Sequence, residues 1–391
     1  MSRLKVLAVT FNSRTDLFSP GDAIEGQVII QVDSNSDNEG LKNVQGIWVK
    51  IIGKCRTHWI TSANQRNRDH EGAHSKKEVY FDTVFVAFGN GKRERSANKL
   101  NIPPGTHAYP FSFLLPNEIL PASFEHEFGY VRYKVKATLS LIRTFSNKTF
   151  KREKLFCMTG PMVDLNTMLE VQSAVNITKE LFGWCGCGST VEESITIGLP
   201  KQGYVPGESL YVTGLVDNRD REESCNFCAK FIQKITFRSQ SSEKKHVETI
   251  LGTVCYTVPT PRGRVVDFSL GPILIPPVPP SGLPACKLID IQYRIQCKSD
   301  IGKWEFPITI GTVSLPGSFP TAPPANTLYP SADVTAPGFP VGVDAYAPAF
   351  DGEASPPNYQ EAPPPSYEQA VGQIDRLTNE RNDEDYFPDD Q

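Results

Sequence analysis

The chain has 391 residues, of which 39% are hydrophobic and 21% are charged, and its formal net charge is −4. This length allows two ordinary domains and an extension. The N-terminal apolar run is too short for a signal peptide, and no run approaches the ~18 apolar residues that span a bilayer. We therefore expect a soluble, cytosolic protein whose nine cysteines are reduced and whose sequons at Asn147 and Asn176 carry no glycan.

Charge is divided unevenly along the chain. Residues 313–391 hold two basic and thirteen acidic side chains, a net charge of −11, which leaves 38 basic and 31 acidic side chains, a net charge of +7, in residues 1–312. A basic body suits anionic lipid headgroups, although a mixed, solvated surface has the same composition. The body lacks the basic, aromatic-interleaved patch typical of nucleic-acid binding.

Residues 1–312 are predicted to be all-β. Short runs rich in Val, Ile, Phe and Tyr alternate with polar residues and are separated by Gly, Pro and Asn. These runs include AIEGQVIIQV (23–32), IWVKIIG (47–53), YPFSFLL (109–115) and YVRYKVKATL (130–139). Strands with one apolar face must pair those faces, which predicts β-sandwiches.

The β pattern occurs twice. LFSPGDAI (17–24) recurs as GYVPGESL (203–210), and GYVRYKVKA (129–137) is echoed by IDIQYRIQC (289–297). The Pro-Gly-acid step favours a tight turn, because Pro fixes φ and Gly supplies a positive φ. We expect domains at 1–160 and 189–313, an interdomain linker at 161–188 where GPMVDLN and LFGWCGCG interrupt the strand pattern, and a tail at 314–391.

One string resembles an enzyme motif. HEGAH at residues 70–74 matches the H-E-x-x-H signature of zinc proteases, which requires His70 and His74 on one face of a helix. Its polar surroundings and internal Gly instead predict a loop between strands. Since no phosphate loop, nucleophile elbow or paired carboxylates accompany it, we predict no catalytic residue and no cofactor.

Four cysteines leave more than one interpretation open. Cys185, Cys187, Cys225 and Cys228 have the thiolate chemistry of a zinc site, and the first two lie beside Phe182 and Trp184, a context that also suits S-acylation. Nothing in the sequence shows that the two pairs meet. Ordinary reduced thiols, with no metal bound, are therefore favoured.

An ordered set of motifs in the body resembles a known family. PGDAIEGQV, IPPGTHAYPFSFLLP, SFEHEFGYVRYKVKA and VDLN, followed by YVPGESL, IDIQYRIQC and FPITIGT, resemble the α-arrestins, the arrestin domain-containing proteins. The resemblance covers residues 1–312 and implies two arrestin-like, immunoglobulin-like β-sandwiches in tandem. It implies a non-enzymatic adaptor, cytoplasmic and peripheral at the plasma membrane and endosomes, with membrane receptors or transporters as cargo. A sorting scaffold similar to the arrestin-like subunit of retromer is the alternative, and a zinc hydrolase at HEGAH a remote one.

The tail carries two copies of Pro-Pro-x-Tyr. Residues 314–391 contain 14 of the 32 prolines and are acidic, so we expect disorder with polyproline II character. By the resemblance, the two motifs recruit HECT-type ubiquitin ligases through WW domains and so promote ubiquitination, endocytosis and endosomal sorting of cargo. The expected contacts are Pro356, Pro357, Tyr359, Pro364, Pro365 and Tyr367.

A second type of motif lies at the start of the tail. Pro320, Thr321, Ala322 and Pro323 match P-T/S-A-P, the peptide that ESCRT-I recognises in proteins that drive vesicle budding. A chance string in an Ala- and Pro-rich segment is the alternative. The pairing of both motif types in one tail is a further resemblance to members of the same family, and it implies ESCRT-I as another partner.

Overall fold

Two β-sandwich domains follow one another along the chain. The computed structural model describes residues 4–33, 40–61, 72–91, 99–143, 147–185, 188–219 and 224–317. The strands of the first domain are β1 (Leu4–Phe11), β2 (Leu17–Phe18), β3 (Ala23–Val32), β4 (Leu41–Thr61), β5 (Gly72–Gly89), β6 (Leu100–Ile102), β7 (Gly105–Leu114), β8 (Phe124–His126), β9 (Gly129–Leu141) and β10 (Lys148–Met158). The strands of the second domain are β11 (Val175–Cys185), β12 (Gly188–Leu199), β13 (Gly203–Tyr204), β14 (Ser209–Asn218), β15 (Ser224–Arg238), β16 (Lys244–Pro259), β17 (Arg264–Leu274), β18 (Ile289–Lys298) and β19 (Lys303–Ile310).

The first domain packs a small sheet against a large one. The small sheet has the order β1-β3-β7, and the large sheet has the order β2-β10-β9-β4-β5, with β6 on β4 and β8 on β9. In β3 and β9 alternate residues are buried, as the period of two in their sequences predicts. The buried side chains at the centre include Ile24, Val28, Ile30, Ile47, Val49, Ile51, Val131, Val135 and Ala137.

The second domain repeats this plan. Its sheets have the orders β11-β12-β14-β17 and β13-β19-β18-β15-β16. The described residues of both domains lie within one compact unit, and most of their buried apolar side chains form one continuous cluster. The prediction of two all-β sandwiches in tandem is therefore confirmed. Within the described residues, no helix has the length and apolar character needed to cross a membrane.

The two Pro-Gly steps form equivalent turns. The amide after each Gly donates to the carbonyl three residues back, over 3.0 Å at Asp22 and 3.2 Å at Glu208. Gly21 and Gly207 adopt φ values of +86° and +92°, the positive φ that a turn of this kind requires. Strands β2 and β13, just before the turns, pair in parallel with β10 and β19. The predicted turn and the internal repeat are both confirmed.

The turn at Gly207 provides a direct test of this backbone requirement. A Cβ added at Gly207 would meet no atom within 4 Å, so the positive φ of the backbone is the only feature that disfavours a side chain there. We expect Gly207→Ala to lower the free energy of unfolding by about 1–2 kcal/mol, measured by urea denaturation. Gly207→Asn should lower the free energy of unfolding by less, because Asn tolerates a positive φ. Equal stability of Gly207→Ala and the unchanged protein would contradict the argument.

The repeated aromatic residue also has an equivalent role in each domain. Tyr133 on β9 and Tyr293 on β18 occupy the fifth position of the two echoed segments. Their hydroxyls donate to the carbonyls of Pro121 and Pro279, both over 2.7 Å. Each bond ties a loop to a central strand and satisfies a hydroxyl that burial would otherwise leave unpaired.

The segment predicted as a linker, 161–188, is only partly a connector. A 3₁₀ turn at Leu165–Thr167 and a short helix α1 at Leu169–Gln172 are followed by strand β11, which forms the edge of the four-stranded sheet. Strand β11 pairs with β12 from Val175 to Cys185, with a bulge after Leu181. An edge strand with a bulge and an internal Gly lacks a clear apolar alternation, which is why the sequence pattern missed it.

Candidate interaction surfaces

The tail motifs lie outside the described residues. The structure describes nothing from residue 318 onward, so Pro320 to Pro323 and both Pro-Pro-x-Tyr copies stay predictions. The predicted disorder of the tail is likewise outside the described residues.

The HEGAH string has a different structure from the one predicted. His70 and Glu71 lie outside the described residues, but Gly72 begins β5, so the predicted loop is wrong for residues 72–74. Here β5 pairs with the end of β4, with His74 opposite Trp59. The His74 ring stacks on the Trp59 ring at 5.4 Å, and its Nε2 lies 2.7 Å from Thr61 Oγ1. An extended backbone cannot supply the helical face that the zinc-protease motif requires, and among the described residues no cluster of His, Cys, Asp and Glu has the arrangement of a metal site.

The expectation of reduced cysteines is wrong for one pair. Cys228 on β15 and Cys255 on β16 are directly opposite in the antiparallel ladder, with Cα atoms 4.1 Å apart, and form a disulfide. Cys228 is therefore not available as a thiolate ligand. Cys225 is free and buried, and burial raises its pKa to about 11. Cys187 lies outside the described residues.

A face of the large sheet in the first domain is strongly basic. The cross-strand registers place eight basic side chains on its solvent side, and we call them the basic face: Lys50, Lys54, Arg56, Lys77, Arg132, Lys134, Lys136 and Lys151. Three acidic side chains, Asp82, Glu125 and Glu153, share this side of the sheet, so the excess is five positive charges. The sequence shows part of this face as the period-two run Arg132, Lys134, Lys136, but not the neighbouring strands that complete it.

Ion pairs organise part of the basic face. Glu153 accepts hydrogen bonds from Lys134 over 2.6 Å and contacts Lys136 at 2.9 Å. Burial raises the pKa of Glu153, but the two lysines outweigh this effect and leave its pKa below the ordinary value. Arg132 Nε and Nη2 donate to the two carboxylate oxygens of Glu125, over 2.6 and 2.8 Å. Exposed pairs of this kind contribute little stability, so the excess positive charge is their main consequence.

Exposed apolar side chains lie beside the basic face. Val79 is 44% exposed and stands opposite Lys54, Val84 is 49% exposed and stands opposite Lys50, and Leu155 on β10 is 51% exposed. Basic side chains with apolar neighbours form the kind of surface that rests on an anionic membrane.

The two domains contact each other through polar and aromatic groups. Thr57 Oγ1 donates to the carbonyl of Arg238 over 2.7 Å, and the Gln240 amide donates to the carbonyl of Ser75 over 3.3 Å. The amide of Lys287 donates to a carboxylate oxygen of Glu78 over 3.0 Å.

Aromatic rings cover one side of this contact. The ring of Phe237 in the second domain lies 4.9 Å from that of His126 and 6.0 Å from that of Phe128 in the first. Lys245 Nζ lies 4.2 Å from the centre of the Phe128 ring, within cation–π range. Burial lowers the pKa of His126 and so favours a neutral ring at this contact.

Comparison with known proteins agrees with this architecture. Residues 7–166 match the family model described as arrestin (or S-antigen), N-terminal domain, and residues 193–315 match the one described as arrestin (or S-antigen), C-terminal domain. Arrestin domain-containing protein 17 of Caenorhabditis elegans is 27% identical over 310 residues, 76% of this chain and 67% of that protein. Arrestin domain-containing protein 1 of Homo sapiens is 26% identical over 320 residues, 81% of this chain and 66% of that protein. The match thus spans just under two thirds of the length of the human protein.

Both domain matches occur in order and coincide with the two sandwiches, and together they cover well over half of the residues. The relatives are similar across the same region. The chain therefore belongs to the arrestin family, as an α-arrestin of the arrestin domain-containing type.

Proposed function

We propose that this α-arrestin is an adaptor that brings WW-domain HECT-type ubiquitin ligases to membrane receptors or transporters. The observation that carries the proposal is the presence of two Pro-Pro-x-Tyr motifs, eight residues apart, in an acidic Pro-rich tail that follows two arrestin domains. The arrestin domains hold cargo, and the tail holds the ligase.

The chemistry of the motifs supports this assignment. Polyproline II segments are already extended, so little conformational entropy is lost when they bind an aromatic groove. The two prolines of each motif lie on the groove and the tyrosine, Tyr359 or Tyr367, fills a second pocket. The ligase then transfers ubiquitin to cargo lysines held nearby, and the modified cargo enters endocytic and endosomal sorting. Capture of tandem WW domains by the full chain, with and without the two tyrosines, tests the proposal.

The alternative of a retromer-like sorting scaffold gives no role to these motifs. A full chain that fails to capture WW domains would favour that scaffold. The zinc hydrolase is not proposed, because His74 lies in an extended strand.

The basic face supports a peripheral membrane position for the adaptor. Its excess of five positive charges lies next to exposed Val79 and Val84. We infer that this side of the first domain faces the anionic cytoplasmic leaflet of the plasma membrane or endosome, where each basic side chain near the surface contributes about 1 kcal/mol.

The Pro-Thr-Ala-Pro string supports a second partner, ESCRT-I. We expect Pro320→Ala with Pro323→Ala to weaken binding of the full chain to the ubiquitin-variant domain of ESCRT-I by at least about tenfold, or about 1.4 kcal/mol, in isothermal titration. The matched control replaces two tail prolines outside any motif, Pro337→Ala with Pro340→Ala, and should bind as the unchanged chain does. Equal affinity of both double variants would remove ESCRT-I from the proposal.

A further inference from the structure

Two free cysteines from different domains meet at the interdomain contact. Cys55 lies near the end of β4 in the first domain, and Cys286 lies in the segment between β17 and β18 of the second. Their Sγ atoms are 3.6 Å apart, although 231 positions separate the residues in sequence. Cys55 is fully buried, whereas Cys286 is partly exposed. Solvent thus reaches one of the two residues in part, while the other is fully buried beside it.

The segment that carries Cys286 is fixed on both sides. The amide of Cys286 donates to the carbonyl of Leu283 over 2.9 Å, in a turn where Ala285 adopts a φ of +65°. On the other side, the Lys287 amide donates to Glu78 of β5. A left-handed φ at a non-glycine residue is uncommon, and here it belongs to the turn that holds the sulfur against β4.

The surroundings make the two thiols chemically different. The hydrogen bond between the two sulfurs lowers the pKa of Cys286 against the effect of burial, with contributions from the Tyr80 hydroxyl and the amides of Leu288 and Ile289. The same hydrogen bond and burial raise the pKa of Cys55. The lowered pKa favours the thiolate of Cys286, and the thiolate is the reactive form of cysteine.

The pKa values of the other free cysteines in the described part of the chain are shifted in the opposite direction, upward. Burial raises the pKa of Cys157, Cys225 and Cys297. Each of these stays a protonated, poorly nucleophilic thiol at neutral pH. Among the described cysteines, Cys286 alone combines partial exposure, a lowered pKa and a second thiol within reach.

We propose that Cys286 is a peroxide-sensitive modification site and that Cys55 resolves it into a disulfide between the two arrestin domains. The Cys286 thiolate attacks one oxygen of a hydroperoxide such as H2O2; an S–O bond forms, the O–O bond breaks, and hydroxide leaves to give the sulfenic acid. Cys55 sulfur then attacks the Cys286 sulfur; the S–O bond breaks, and the Cys55 proton passes to the departing hydroxide, which leaves as water. The two thiols lose two electrons and two protons in total, and the peroxide is reduced to two waters. Closing the gap from 3.6 Å to a bond of about 2.05 Å requires side-chain rotation and a small backbone adjustment.

The disulfide adds a covalent bond to a domain contact that is otherwise non-covalent. In the reduced protein, hydrogen bonds and ring contacts hold this part of the domain contact, including the bonds from Thr57 to Arg238 and from Lys287 to Glu78. A bond between Cys55 and Cys286 prevents these groups from separating. The inference goes beyond the proposed adaptor function, because it concerns the freedom of the two domains and not the tail.

Peptide mapping of the full chain tests the chemistry. The reduced protein is treated with equimolar H2O2, blocked with N-ethylmaleimide and digested without reductant. Chymotrypsin is suitable, because trypsin would cut on both sides of Cys55, between Lys54 and Arg56. We expect at least tenfold more of the peptide pair joined through Cys55 and Cys286 than in untreated protein. Treated protein in which both residues carry the maleimide, or in which Cys286 is a sulfinic acid without the link to Cys55, would overturn the proposal.

Variants and exchange measurements test the locking. Cys286→Ser should form no link, whereas the matched control Cys157→Ser, which removes another partly exposed thiol, should form it as the unchanged chain does. Hydrogen exchange at the amides of Gln240 and Lys287 should slow at least tenfold on oxidation of the unchanged chain, and should not slow in Cys286→Ser. Formation of the disulfide without slower exchange would refute the locking of the domains. The mapping on the unchanged chain does not depend on the folding of any variant.

Discussion

Tyr359→Ala combined with Tyr367→Ala is expected to abolish capture of tandem WW domains by the full chain. The tyrosine ring fills the second pocket of a WW domain, and the remaining prolines cover only the first groove. We expect a motif of four residues to bind with an affinity near micromolar, about −8 kcal/mol. The loss of both tyrosines therefore removes binding that a pull-down or an isothermal titration detects.

The single variants distinguish one-site from two-site binding. Two motifs engaged at once raise the apparent affinity by about 10²–10⁴, so Tyr359→Ala or Tyr367→Ala alone should reduce affinity by at least about 100-fold where both sites are occupied. Eight residues of extended chain span about 25 Å, which brings neighbouring WW domains close together. A small effect of each single change, with loss in the double variant, would indicate that one WW domain binds at a time.

The matched control for this experiment is another tail tyrosine. Tyr346 lies in the sequence DAYAP, outside any Pro-Pro-x-Tyr motif, and Tyr346→Ala should bind as the unchanged chain does. Undiminished capture of WW domains by the double variant would refute ligase recruitment through these motifs.

Charge reversal on the basic face is expected to abolish binding to anionic vesicles. Lys54, Lys77 and Lys151 lie on the solvent side of β4, β5 and β10, and the change of all three to Glu turns the excess of five positive charges into one negative charge. Each basic side chain near an anionic surface contributes about 1 kcal/mol. Removal of three therefore weakens binding by at least about 100-fold.

The measurement is co-sedimentation with phosphatidylserine vesicles at low and high salt. The matched control makes the same change in net charge on the second domain, with Lys244, Arg264 and Lys298 each replaced by Glu. The control should bind as the unchanged chain does, and binding of the unchanged chain should weaken with salt because exposed charges are screened. Equal loss in both triple variants would show that overall charge, and not the basic face, attracts the membrane.

The elements that the sequence predicted are those specified by neighbouring residues. The Pro-Gly turns before Asp22 and Glu208 depend on the φ of two adjacent residues, so their sequence is sufficient to identify them. Strands β9 and β18 alternate apolar and polar residues because each has one face in a core. Strand β11 was missed, because an edge strand with a bulge is under weaker packing constraints.

What the sequence determined by itself was the all-β class, the internal duplication and the tail motifs, since each follows from residues that are close along the chain. Only the tertiary structure decided which distant residues meet. The Cys228–Cys255 disulfide depends on the register of β15 and β16, the basic face on four strands lying side by side, and the Cys55–Cys286 contact on two domains joined across 231 positions. Such contacts are fixed by the packing of apolar faces. The local sequence around each contacting side chain therefore does not indicate its distant partner.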